Sequence, residues 1–130
     1  MSKGPEHRLY DWLRLNLPPS WHMTRIETST ANGIPDINLA TGGGDVWLEC
    51  KYGDRAVLRK EQWAWMQRRT ACGGTCLVLL QKPVGWELYR IGGGMPHTVT
   101  EKGIRLEQPC GHGVKMLEVI NILHTCTTQS

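Results

Sequence analysis

The sequence predicts an α/β sandwich, a mixed central sheet flanked by helices, on three observations. Helical and strand-like stretches follow one another in the order helix, three strands, helix, strand, strand, helix. The run "TCLVLLQ", Thr75 to Gln81, is apolar through its five central positions, the pattern of a strand covered on both faces. The 130 residues are 40% apolar along their whole length, which is enough for one core and argues against extensive disorder. One domain over residues 1–130 is expected.

Pro5 to Leu17 reads as a helix, with Pro5 near its first turn, Pro18-Pro19 ending it, and Leu9, Trp12, Leu13 and Leu17 as its apolar stripe. Glu6 stands one turn before Leu9 and Tyr10, at the edge of that stripe. Its plainer role is a first-turn carboxylate that favours the helix dipole. Trp21 to Glu27 looks extended, and the polar stretch "TSTANG" follows. Ile34 to Ala40 and Val46 to Lys51 are two short strands joined by the turn formers Thr41 to Asp45. Lys60 to Arg69 is helical, entered from "YGDRAV" and stopped by Gly73-Gly74. Trp63 and Trp65 cannot share one helix face, which predicts one at most in the core and the other exposed. Trp86 to Ile91 is a further strand. Gly92 to Gly111 reads as irregular, with a short strand around Ile104 to Leu106. Met116 to His124 closes the chain as a helix apolar nearly all round, buried in the domain or against a second subunit.

Charge and cysteine usage narrow the function classes. Fifteen Lys and Arg against twelve Asp and Glu leave +3, too little to argue for a nucleic-acid partner by itself. Lys51, Arg55, Arg59, Lys60, Arg68 and Arg69, however, cluster in one stretch opposed by Asp54 and Glu61 alone, which suits a polyanionic substrate or a solvated helix surface. Five cysteines without a C-x-x-C pair, no apolar leader in "MSKGPEHRLY" and no long apolar run predict a reduced, cytoplasmic protein without a membrane span.

The stretch "GIPDINLATGGGDVWLECK", 33 to 51, holds the chemistry. Strand alternation turns Val46, Leu48 and Cys50 toward the core and Trp47, Glu49 and Lys51 to the other face, with Glu49 and Lys51 about 6.6 Å apart. On the preceding strand Ile37 and Leu39 take the apolar face and leave Asp36 and Asn38 opposite. Pairing across the glycine turn then brings Asp36 beside Glu49 and Lys51. Two adjacent carboxylates repel unless a cation lies between them, and Mg²⁺ accepts such oxygen ligands. A cross-strand ion pair at a sheet edge is the plainer alternative.

"PD" at Pro35-Asp36, then "ECK" at Glu49-Cys50-Lys51, resembles the PD-(D/E)XK nuclease superfamily. "GIPD", Gln62 on the following helix and Glu6 on the first helix resemble archaeal-type Holliday junction resolvases and the VRR-NUC family, over roughly residues 5–82. The resemblance implies a restriction-endonuclease-like fold. It implies Asp36, Glu49 and the Cys50 carbonyl as ligands of Mg²⁺ (or Mn²⁺), and Glu6 at a second ion or a bound water. It further implies Lys51 as catalytic lysine and Gln62 as the residue orienting it or the attacking water. Arg59 stands where those families often carry serine. Arg55, Arg59, Lys60, Arg68 and Arg69 are candidates for neutralising a DNA backbone. The expectation is a homodimeric endonuclease of DNA recombination cutting branched DNA, with the last third serving dimerisation or substrate selection. A VRR-NUC-type nuclease acting on flaps or duplex, or an inactive DNA-binding module, are the alternatives.

Overall fold

A computed structural model describes residues 5–26 and 33–128, without the side chains at 5–7, 127 and 128. The elements are α1 (Pro5–Asn16), β1 (His22–Arg25), β2 (Ile37–Ala40), β3 (Asp45–Tyr52), β4 (Val57–Leu58), α2 (Lys60–Ala71), β5 (Thr75–Gln81), β6 (Trp86–Arg90), β7 (His97–Thr100), β8 (Gly103–Leu106), β9 (Gly111–Gly113) and α3 (Leu117–Thr128). Six strands form one mixed sheet in the order β1-β2-β3-β5-β6-β9, and β4-β8-β7 form a second, smaller one. The mixed character comes from a single parallel pair, β3 with β5, in register Glu49↔Val78 and Cys50↔Leu79. A parallel pair needs a crossover between its strands, and β4 and α2 supply it.

Each side of the large sheet has its own core. Leu9 and Leu13 of α1, Val119 and Leu123 of α3, and Ile37, Leu39, Val46, Leu48, Cys50, Leu77 and Leu79 of the sheet fill one. The other joins Met66 of α2 and Leu58 and Leu106 of the small sheet to Cys76, Val78, Leu80 and Tyr89. The continuous run of β5 is thus explained, because its odd and even residues serve different cores. Among the described residues no helix is long and apolar enough to cross a membrane.

Three differences from the sequence reading have physical causes. Between Gly92 and Gly111, where one short strand was expected, lie β7 and β8, and β9 starts at Gly111, because β7 is polar, β9 is "GHG", and the pairing of β4 with β8 joins Val57 to Arg105 across a distance that periodicity cannot register. Trp63 and Trp65 are both half-buried, with neither exposed. His97 of β7 covers Trp63 (ring centroids 4.6 Å apart), while Trp47 and Arg69 cover Trp65. In α3, Val119 and Leu123 are buried but Leu117 is 65% exposed, so that helix buries a stripe and not its whole circumference.

Candidate active site

The hairpin of β2 and β3 pairs Ile37 with Leu48 and Asn38 with Trp47, and one step further sets Asp36 against Glu49. The Asp36 backbone N–H donates to Glu49 Oε1 (3.2 Å), and the Cys50 N–H donates to Asp36 Oδ2 (3.4 Å). Asp36 is exposed, whereas Glu49 is 3% exposed. Burial first, then the charge of Asp36, pushes the Glu49 carboxyl up to about 7, and Lys51 opposes the shift.

Gln62 ties the far side of the site together. It is the third residue of α2, and its Oε1 accepts from the Arg59 backbone N–H (2.9 Å), which caps the helix start. The same oxygen accepts from Lys51 Nζ (3.1 Å), and Nε2 donates to Glu49 Oε2 (2.8 Å). Two donors on the oxygen and a carboxylate on the nitrogen fix which way the amide points. Lys51 Nζ lies 3.5 Å from Glu49 Oε2 and keeps 23% of its side chain exposed. Among the described residues no buried side-chain nitrogen or oxygen lacks a hydrogen-bond partner.

Gly33 explains how the loop carrying Asp36 comes so close to α2. Its φ is +85°, and a Cβ there would collide with the Glu61 carbonyl and crowd the Gln62 N–H. A glycine therefore seats the "GIPD" loop on the first turn of the helix that supplies Gln62.

Asp36, Glu49 and Lys51 open onto a cavity of about 260 Å³ that Tyr10 and Arg25 also line. The Arg25 guanidinium stacks 4.9 Å from the Tyr10 ring centroid. Arg25 pairs with Ile37, next to Asp36, and so lines the same cavity as the carboxylates. Sequence reading missed both residues, since β1 carries no signal of its pairing partner. The donor set suits a hard divalent cation. It offers two neighbouring carboxylates, one of them buried with its proton held tightly, and a cation between them would relieve the repulsion. No cluster of three or more Asp, Glu, His or Cys suited to a metal occurs among the described residues. A hard cation that keeps several waters needs only one or two carboxylates from protein.

The other expected residues are dispersed. The Glu6 side chain lies outside the described residues. Arg59 and Lys60 are exposed at the start of α2 and Arg68 and Arg69 at its end, while Arg55 faces Arg105 and Glu107 near the small sheet.

The layers and their order are those of the restriction-endonuclease-like α/β sandwich. A solved structure with a similar fold is Hjc of Archaeoglobus fulgidus, a Holliday junction resolvase from an archaeal hyperthermophile. Its TM-score is 0.56 at 17% identity, over 79% of this chain and 85% of that one. At that identity the likeness is one of fold. No protein-family model matches the sequence, and neither does any curated protein.

Proposed function

We propose that this chain is a metal-dependent endodeoxyribonuclease that hydrolyses phosphodiester bonds in branched DNA, Holliday junctions foremost, acting as a homodimer. The observation that carries the reading is the bonded chain Glu49–Gln62–Lys51 beside Asp36, on a fold shared with a Holliday junction resolvase. Asp36, Glu49 and the Cys50 carbonyl would hold Mg²⁺ or Mn²⁺, with Glu6 at a second ion or a bound water. When bound, the ion supplies charge neutralisation at the phosphate and a more acidic water.

The protein's own groups divide the remaining work. Lys51, held between Gln62 and Glu49 with its tip partly open, donates toward charge growing on the phosphate oxygens. Gln62 acts through Lys51 and Glu49 and is a positioning residue. Arg25 places a second cation over the cavity, where a phosphate enters. Two copies related by a twofold axis present two sites to the two strands of a symmetric junction.

The test is cleavage of an end-labelled synthetic four-way junction with Mg²⁺, beside linear duplex of the same sequence. Paired symmetric nicks in the junction are expected, with rates down at least about 10²-fold in Asp36→Asn and Lys51→Ala. Equal cutting of junction and duplex removes the structure selectivity. No cutting by a folded sample with either ion removes the nuclease.

A further inference from the structure

β3 carries a second cluster two residues before Glu49. Trp47 shares the face of Glu49 and Lys51, about 7 Å further along the strand, and the last two turns of α2 meet it there. The Trp47 and Trp65 ring centroids are 5.1 Å apart, edge to face at 68°. The Arg69 guanidinium lies 5.1 Å from the first ring and 4.6 Å from the second. With Asp45, Arg68 and Cys72 these residues line a cavity of about 750 Å³.

The place of Arg69 is fixed from below. Gly74 donates its N–H to the Arg69 carbonyl (2.9 Å), and a Cβ at Gly74 would stand 2.6 Å from Arg69 Cγ. The glycine leaves room for the arginine stem, which carries the guanidinium onto the two indoles. Both indoles are half-buried and both arginines exposed, and among the described residues neither arginine has a carboxylate partner. The groove is therefore aromatic and cationic, two arginines against the one Asp45. It is separate from the cavity at the carboxylates, with no lining residue in common, and lies two residues along β3 from Glu49. Thr24 and Asn38 lie in register with Trp47, the first exposed and the second half-buried.

We propose that this groove stacks an unpaired nucleobase of the DNA strand whose phosphate lies at Asp36 and Glu49, with Arg68 on a neighbouring phosphate. The inference rests on the nuclease reading above and adds where the strand runs. Indole and guanidinium planes stack on any base without regard to sequence. The unpaired base suits a substrate opened at a branch point. A second copy docked groove to groove would bring four arginines together against two copies of Asp45.

The test is fluorescence anisotropy of a labelled twelve-residue oligothymidine in EDTA, beside an abasic oligomer of the same length. Wild type is expected to bind the thymidine strand about 10-fold more tightly. Trp47→Leu and Trp65→Leu bind both strands alike, Trp65→Tyr restores the preference, and Arg68→Gln weakens both strands equally. Circular dichroism checks folding. Wild type alone gives a second measure, because the thymidine strand slows maleimide modification of Cys72 and leaves exposed Cys110 unchanged. Equal binding of the two strands by wild type overturns the proposal. So does a base preference that survives both leucine variants, and a change in sedimentation in those variants then assigns the groove to contact between copies. Junction cleavage with Mg²⁺ is scored separately. Cleavage without base preference overturns the groove and keeps the nuclease, whereas base preference without cleavage keeps the stacking site and overturns the nuclease.

Discussion

The two faces of β3 carry opposite kinds of side chain. Toward α1 and α3 the strand sends Val46, Leu48 and Cys50 into a core of apolar side chains. Toward α2 it sends Trp47, Glu49 and Lys51, an indole followed by a charged pair with Gln62 between its members. The apolar face fixes the position of the strand, because a slip by one residue would exchange the faces. With the backbone so pinned, the other face can hold a carboxylate almost out of water, provided every polar atom has a partner. One face is apolar core, and the other is a bonded polar cluster that the proposed function assigns to chemistry.

Variants on the two faces should therefore fail in different ways. Leu48→Ala, on the apolar side, is expected to cost about 2–5 kcal/mol of unfolding free energy through the cavity it leaves, read from denaturant midpoints. Its specific activity per folded molecule should persist. If activity falls with no loss of stability, the division between the faces is wrong.

The next effect is one of pH. Glu49 titrates near 7 in the folded chain and near 4.5 unfolded, so the folded state holds the proton more tightly. The contribution of Glu49 to metal-free stability, about 3 kcal/mol in all, is then fully present below about pH 4.5, is lost as pH rises through 7, and changes no further above. Glu49→Gln should make that stretch of the profile flat whatever its absolute level, and Mg²⁺ should flatten it in wild type. Thermal melts from pH 4.5 to 8.5 measure both.

Gln62→Leu comes third. It leaves the Arg59 N–H, Lys51 and Glu49 without the amide they share, at about 1–3 kcal/mol. Loss of activity beyond that loss of folding, measured at saturating substrate, identifies positioning of Lys51 as its role. The smallest effect belongs to Asp36→Asn. The exposed residue should change stability at pH 5 by no more than about 0.5 kcal/mol, while removal of its charge moves the Glu49 transition to lower pH. An unmoved transition would separate the two carboxylates electrostatically.

How far the sequence foretold all this depended on how local the signal was. Thr75–Gln81 was readable to the residue, since a covered strand is an unbroken apolar run. The facing of Asp36, Glu49 and Lys51 followed from alternation and one glycine turn. Expected strand at Ile34 and Pro35 proved to be loop, because Gly33 seats that segment on α2 in a left-handed conformation. Gln62 entered through family resemblance alone; its link to Glu49 depends on helix placement, which no local pattern records. Arg25 and Tyr10 reach the site through strand pairing and helix packing, and the Trp47–Trp65–Arg69 cluster joins residues from two elements. None of these leaves a periodicity to read.

The parallel pairing of β3 with β5 has a consequence in time. An antiparallel hairpin closes on itself within microseconds, but β3 cannot meet β5 until the chain has crossed the sheet. The two acids and the lysine are in place once the hairpin exists, while the glutamine arrives only with the crossover. A chain still emerging from synthesis thus carries the two acids and the lysine without the glutamine that bonds to Glu49 and Lys51. On the reading proposed here, the ability to cut DNA waits for the crossover and is not a property of the hairpin alone.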